Sequence, residues 1–318
     1  MRILAVLLLA LSAQTAWAEG DALSWLERIH AATQTLSYSG TFIYRSGDQS
    51  ETSRIFHSVG RRGTLERLET LDGQAREIVR SGDEVRCYLP DLMTIRVDKQ
   101  TAHGVFPASL PENLQDIGEN YEVSAGAVER IAGYDAQAIV LQPKDKLRYG
   151  HKLWADVKTG MLLKSQIFND KNEPIEQFAF TQISIGGKID HEELKSRFRA
   201  KSRAWHIENS SAVAASLAAS GWTIKPELPG FKKVAEMKRT LGGSNEVGHV
   251  VYSDGVAAVS VFIEPMTNKT SLPPPGLSHQ GAINIYSQQI ASHLVTVLGE
   301  TPAESVKKLA ESVEYRKP

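Results

Sequence analysis

A nucleophilic hydrolase needs a serine or cysteine activated by a neighbouring base at a strained turn, and the chain contains no G-x-S-x-G. Its single cysteine, Cys87, lies within the strand-like segment EVRCYLP beside Val85 and Leu89, where a buried, inert thiol is expected rather than an intermolecular bridge or a reactive group. A zinc site needs ligands at close helical or turn spacing. His191 and Glu192 are adjacent but lack the H-E-x-x-H register, and the nine histidines are scattered. No glycine-rich loop joins a strand to a helix, so a phosphate cradle is absent, and no cofactor is expected. Paired carboxylates can meet in space without a sequence signature, so an enzyme stays open on spacing alone. With no catalytic residue and no metal ligand set assigned, a binding protein is the expectation.

Two groups of residues could bind. Lys195, Arg197, Arg199, Lys201 and Arg203 recur within DHEELKSRFRAKSRAWH with no acid between them. They read either as a solvated linker or as a local patch for phosphate or an acidic partner. Tyr38, Phe42 and Tyr44 alternate along one strand face. Ordinary core packing and the lining of an apolar lipid groove are both open for them.

The elements that position these residues are mostly strands. Residues Ala22, Trp25, Leu26, Ile29, Ala32 and Leu36 fall on one helical stripe behind Asp21, predicting a capped helix over about Ala22 to Leu36. From Ser37 the apolar period becomes two. Short strands then follow at regular intervals, joined by Gly47-Asp48, Asp72-Gly73, Gly82-Asp83 and Pro90-Asp91, as in an up-and-down antiparallel sheet. The segment His103 to Gly118, with Pro107 and Pro111, interrupts the meander and reads as a lid whose Leu110, Leu114 and Ile117 form a short helix. Strands resume to about Ile185.

A second unit opens at Trp222. Its Asp254-Gly255 hairpin, the strands AINIYSQ and HLVTVLGE, and a last helix started by a capping box at Thr301 and Glu304 predict a small α+β module. The expected division is a leader at 1–18, a sheet domain at 19–206, a linker at 207–221 and the α+β domain at 222–318. The leader has Arg2, an apolar run from Ile3 to Leu11, and Ala16-Trp17-Ala18 as a cleavage site, too short a run to span a bilayer. Export follows, and no other segment is apolar enough to span a membrane. Lys plus Arg number 36 against 37 Asp plus Glu, so no global field for nucleic acid exists. A homodimer is left open.

The stretches Glu129-Arg130-Ile131-Ala132-Gly133, Leu141-Gln142-Pro143-Lys144-Asp145, Arg148-Tyr149-Gly150-His151-Lys152-Leu153-Trp154-Ala155-Asp156 and Thr159-Gly160-Met161-Leu162-Leu163-Lys164-Ser165 resemble the RseB/MucB family of exported regulators. Tyr38-Ser39-Gly40-Thr41-Phe42 and Arg86-Cys87-Tyr88-Leu89-Pro90-Asp91 look like further signatures of that family, and the likeness covers nearly the whole mature chain. It implies an α+β protein: a first domain similar to the lipoprotein carriers LolA and LolB, with a curled antiparallel sheet like an unclosed barrel and covering helices, followed by a smaller α+β domain. It also implies a periplasmic protein that binds the periplasmic part of a transmembrane anti-sigma factor of the RseA/MucA type. The partner is thereby shielded from regulated proteolysis, with release by lipid or lipopolysaccharide. A lipid or lipoprotein carrier is the alternative, although such a carrier needs only the first domain.

Overall fold

The computed structural model describes residues 22–61, 63–99, 114–240, 246–266 and 275–317. The leader and most of the expected lid, including Pro107, Leu110 and Pro111, lie outside them.

Helix α1 (22–35) forms where the stripe predicts it, with Ala22, Leu26, Ile29 and Ala32 buried. It lies on the sheet through Ile139, Leu141, Leu153, Ala155 and Leu162, and each buried Leu or Ile contributes about 1.5–3 kcal/mol. The sheet approaches the helix closely at the turn after Asp156. There Gly160 has φ +77°, and a Cβ on it would meet the Arg28 carbonyl at 2.8 Å.

The first sheet is built from β1 (Tyr38–Ser46), β2 (Gln49–Gly60), β3 (Gly63–Thr70), β4 (Glu77–Ser81), β5 (Glu84–Leu89), β6 (Thr94–Lys99), β7 (Tyr121–Ile131), β8 (Tyr134–Pro143), β9 (Gly150–Asp156), β10 (Leu162–Phe168) and β11 (Pro174–Ile185). The two meanders join where β1 pairs with both β2 and β11, giving the antiparallel order β7-β8-β9-β10-β11-β1-β2-β3-β4-β5-β6. Among the described residues β6 and β7 do not pair, so the sheet curls without closing. Gly40 makes the β1–β11 junction possible: a Cβ there would lie 2.6 Å from the Gln182 carbonyl and 2.8 Å from the Phe180 ring. The register shifts at the adjacent Thr41/Phe42 step. Helix α2 (Gln115–Asn120), the described end of the expected lid, buries Leu114 and Ile117 against the α1 layer.

Residues 207–221, expected as a linker, carry most of β12 (His206–Ala214) and a turn of 3₁₀ helix at Leu217–Ser220. His206 to Ser210 pair in parallel with β6, while Ser211 to Ala214 pair antiparallel with β14 (Lys232–Thr240). One strand thus belongs to both sheets. The second sheet continues through β15 (Glu246–Ser253), β16 (Ala258–Pro265), β19 (His293–Gly299), β18 (Ile283–Ile290) and β17 (Gly276–Gln280). Helix α3 (Ala303–Glu311) buries Val306, Leu309 and Ala310 on it, and β13 (Trp222–Ile224) pairs with β20 (Val313–Tyr315) beside it.

Two local expectations are corrected. The capping box does not form: α3 begins at Ala303 behind Pro302, without a side-chain cap, and Thr301 sits one position too early with its hydroxyl buried and unpartnered. Cys87 is only half-buried because the inward residue of β5 is its neighbour Tyr88, which packs on Ile95 and Val97. Its thiol pKa is nonetheless raised by burial.

Candidate functional site: the joint between the two sheets

The turn between β8 and β9, residues 144–149, reaches out of the first domain into the second. Leu147 is buried in the core formed by Leu217, Phe231, Val259 and Leu309, and its carbonyl accepts the Ser305 hydroxyl at 2.6 Å. Next to it, Arg148 is 3% exposed and its guanidinium meets Asp254, also 3% exposed, at 2.8 Å. Asp145 lies 2.8 Å from a second guanidinium nitrogen, and the Pro229 carbonyl accepts from the third at 2.5 Å. Tyr121, which begins β7, donates its hydroxyl to Asp254 at 3.0 Å.

Asp254 is held from its own side too, accepting the backbone N–H groups of Val256 and Ala257 at 2.9 and 2.8 Å. The hairpin turn of the second domain thus places a carboxylate where the first domain places an arginine, and a buried charge with this many partners is stable where a lone one would not be. Burial first, then the Asp254 charge, pushes the Tyr121 phenol well above its ordinary range. Burial also holds the His151 imidazole neutral, down to about 4.

Around this centre run further cross-domain contacts. Asn284 donates to the Tyr149 hydroxyl at 2.9 Å, Lys232 pairs with Asp116 at 2.7 Å, and Arg239 pairs with Asp98 at 2.7 Å. The β1–β2 turn meets the β17–β18 turn so closely that a Cβ on Gly281 would overlap Ser46.

Near that contact Glu176 of the first domain is raised to about 7 by burial and by the charge of Glu300 in the second, while its hydrogen bond with Tyr44 acts the other way. The Glu300 carboxyl is itself raised by burial. Because the folded-state value of Glu176 lies above the ordinary 4.5, the folded chain holds an extra proton between those values and loses stability as pH rises through them. His151, lowered, acts in the opposite sense below about 6.5. Comparison with Glu176→Gln separates the two. The variant should gain stability relative to wild type as pH is raised from about 5 to 7.5, measured by urea unfolding; a pH-independent difference would show that Glu176 ionises freely.

The sequence-derived candidates fall elsewhere. Tyr38 and Phe42 are buried in a packed cluster with Phe178, Phe180, Trp154 and Met161, and Tyr38 stacks on His57 at 4.8 Å between ring centroids. Tyr44 is partly buried at its margin, with its phenol pKa raised by burial. An acyl chain reaching Tyr38 or Phe42 has to displace packed side chains.

The basic run is a strap laid over the first sheet. Leu194 and Ser196 point inward and Phe198 is half-buried, so the alternating Lys195, Arg197 and Arg199 point outward. Ser196 donates to Glu77 at 2.5 Å, and Arg67 binds the Glu193 carboxylate at 3.0 Å. Lys195 pairs with Glu192, and Arg197 with Glu69 at 3.2 Å. Arg199, Lys201 and Arg203 make no ion pair with any described residue.

The joint itself was missed by sequence reasoning. Its signal was a lone Leu147 among Lys144, Asp145, Lys146 and Arg148 at a hairpin tip, where solvent exposure would leave no reason for a leucine.

Among the described residues no three His, Cys, Asp or Glu side chains are grouped to hold a metal, and no helix is long and apolar enough to cross a membrane. The joint ties the two domains together through a buried ion pair and a shared apolar core.

Known proteins align with both halves. Family profiles for the MucB/RseB N-terminal domain and C-terminal domain match residues 21–198 and 216–314. The chain is 30% identical to the sigma factor AlgU regulatory protein MucB of Pseudomonas aeruginosa, over 98% of each chain. It is 22% identical to the sigma-E factor regulatory protein RseB of Escherichia coli, over 91% of this chain and 89% of that one. A crystal structure of MucB in complex with MucA(peri) superposes with a TM-score of 0.70 at 27% identity, covering 93% of this chain and all of the other.

Proposed function

Because the chain belongs to the MucB/RseB family, we propose that it is a periplasmic, non-enzymatic regulator of an envelope-stress sigma factor. It binds the periplasmic part of a transmembrane anti-sigma factor of the RseA/MucA type. The observation that carries this reading is the similarity to a sigma factor regulatory protein along 98% of both chains, with both domains matched, where a simple lipid carrier needs only the first. In the same reading the bound partner is shielded from the protease that starts its destruction, and residues 222–318 supply a principal part of the contact. The joined sheets favour such a role: a partner touching both domains binds a surface whose two halves Arg148 and Asp254 hold in one arrangement, which lowers the ordering cost of association.

Release by lipid completes the proposal. If a lipid binds the free regulator more tightly than the complex, it weakens partner binding by the same factor. The aromatic cluster of Tyr38, Phe42 and Tyr44 is the proposed acyl-responsive site, through opening of its packing. Lys195, Arg197, Arg199, Lys201 and Arg203 are the proposed contacts for lipid phosphates or acidic partner segments, and Arg199, Lys201 and Arg203 have no ion pairs among the described residues to give up.

The test is direct. Purified mature protein is titrated with the periplasmic domain of the anti-sigma factor from the same genome, with and without lipopolysaccharide, and the partner's resistance to its initiating protease is followed in parallel. Saturable binding with protection, reversed by lipopolysaccharide, is expected. Absence of binding overturns the reading, and binding indifferent to lipopolysaccharide removes the release step alone.

A further inference from the structure

Among the described residues, the large apolar side chains most open to water include Leu92 at 58%, Met93 at 65% and Ile207 at 52% exposure. These three lie together. Leu92 and Met93 end the 3₁₀ turn Pro90–Leu92, and the Met93 carbonyl accepts the His206 N–H at 2.9 Å, which brings Ile207 alongside Ile95.

The turn is held firmly. Met93 donates to the Pro90 carbonyl at 3.0 Å, and the Thr94 hydroxyl donates to the Leu92 carbonyl at 3.0 Å. Met93 itself takes a left-handed backbone, φ 46° and ψ 42°, which costs a non-glycine residue free energy and persists only where the surroundings impose it. Below, Trp205 packs against Phe198 and Tyr88, with ring centroids 5.7 and 6.5 Å away. The chain therefore spends backbone strain at a turn that leaves two apolar side chains exposed, with the Tyr88, Trp205 and Phe198 cluster on the strands and strap that adjoin it.

The 3₁₀ turn Lys201–Ala204 borders the same base and brings exposed Lys201 and Arg203, with Arg199 just before it. None of the three has an anionic partner among the described residues, whereas Glu208 on the neighbouring strand is held by Arg96 at 2.8 Å. Asp91, exposed on the turn, is the opposing charge closest in sequence.

We propose that Leu92, Met93 and Ile207, flanked by Arg199, Lys201 and Arg203, form a docking surface for an anionic lipid bilayer. An exposed apolar turn suits insertion among acyl chains, and cations without an ion pair among the described residues suit the phosphate layer. A second copy of the chain is a poorer occupant, since three side chains bury far less than the roughly 800 Å² per partner of a stable interface, and like cations would face each other. The surface is separate from the acyl-responsive cluster; it deepens the proposed lipid-phosphate role of Arg199, Lys201 and Arg203, and vesicle binding by the free protein tests it apart from partner binding.

The mature full-length protein is sedimented with vesicles of phosphatidylcholine alone and of phosphatidylcholine with phosphatidylglycerol. Binding is expected only to the anionic vesicles, weakening with added salt. Met93→Gly, which also removes the backbone strain and so preserves folding, combined with Leu92→Ser should weaken it by about tenfold or more, as should Arg199→Gln with Lys201→Gln and Arg203→Gln. No vesicle binding, equal binding to neutral vesicles, or full binding by both variants overturns the proposal. So does a concentration-dependent dimer abolished by Leu92→Ser, which would give the patch to a second copy.

Discussion

Replacing Arg148 with methionine should lower stability by about 3–5 kcal/mol, because the change leaves Asp254 buried and charged with its principal cation gone. Asp254 would keep Tyr121 and the N–H groups of Val256 and Ala257, which explains why the turn itself should survive. The cost falls on the joint. Arg148 also donates to the Pro229 carbonyl and meets Asp145, so three groups from three segments lose their common partner. Urea unfolding should detect the loss, and it should be accompanied by faster amide exchange at 144–149 and at the Asp254 turn than elsewhere. Adding Asp254→Asn to the methionine variant should recover part of the loss, since the stranded charge disappears while the turn's acceptor oxygen remains. A loss below about 1 kcal/mol, the worth of an exposed pair, would mean that water reaches Asp254 and that the joint is not dry. If the two domains must keep one arrangement to hold an anti-sigma factor, the same variant should bind its partner more weakly even at temperatures where it stays folded.

The sheet was readable from sequence because its determinants are local. Gly82-Asp83 and Asp254-Gly255 turn the chain by their own backbone preferences, and alternation along YSGTFIY and QAIVLQP fixes which residues share a face. Alternation does not say which face is inward. Cys87 shares a face with Val85 and Leu89, yet Tyr88 opposite carries more apolar surface and takes the core. The joint was unreadable for a different reason: Arg148 and Asp254 are remote in sequence, and nothing in either segment names the other. The tie between β12 and both sheets was hidden likewise, since SSAVA has the small-residue composition of a loop and becomes a strand by pairing with Asp98 and with Met237 to Thr240. In the basic run Ser196 sits inward between Leu194 and Phe198, its burial satisfied by Glu77, so a polar residue breaks the apolar alternation at its centre. The family resemblance supplied what local physics could not, the expectation of a protein partner.

Arg67 offers the strongest test of that strap. It is 1% exposed on β3, and its guanidinium meets Glu69 at 2.7 Å, Glu77 at 3.2 Å and Glu193 at 3.0 Å while lying over the Phe56 ring at 4.8 Å. Glu69 and Glu77 are buried too. Arg67→Met should therefore cost about 3–5 kcal/mol, as for any buried ion network broken on one side. The residual partners divide the effect unevenly. Glu69 keeps Arg54 and Arg197, whereas among the described residues Glu77 keeps uncharged donors, the Ser196 hydroxyl and the Arg197 N–H. The added variant Glu77→Gln should thus restore more stability than Glu69→Gln does. Arg67→Lys should recover only part of the loss, since its ammonium restores one charge but cannot reach three carboxylates and the Glu193 carbonyl at once. The expected local signature is release of residues 190–205, seen as tryptic cleavage at Lys195 and Arg199 before any cleavage in the strands. Cleavage that began in β3 or β4 instead would place the loss in the sheet and leave the strap held by Phe198 and Trp205 alone.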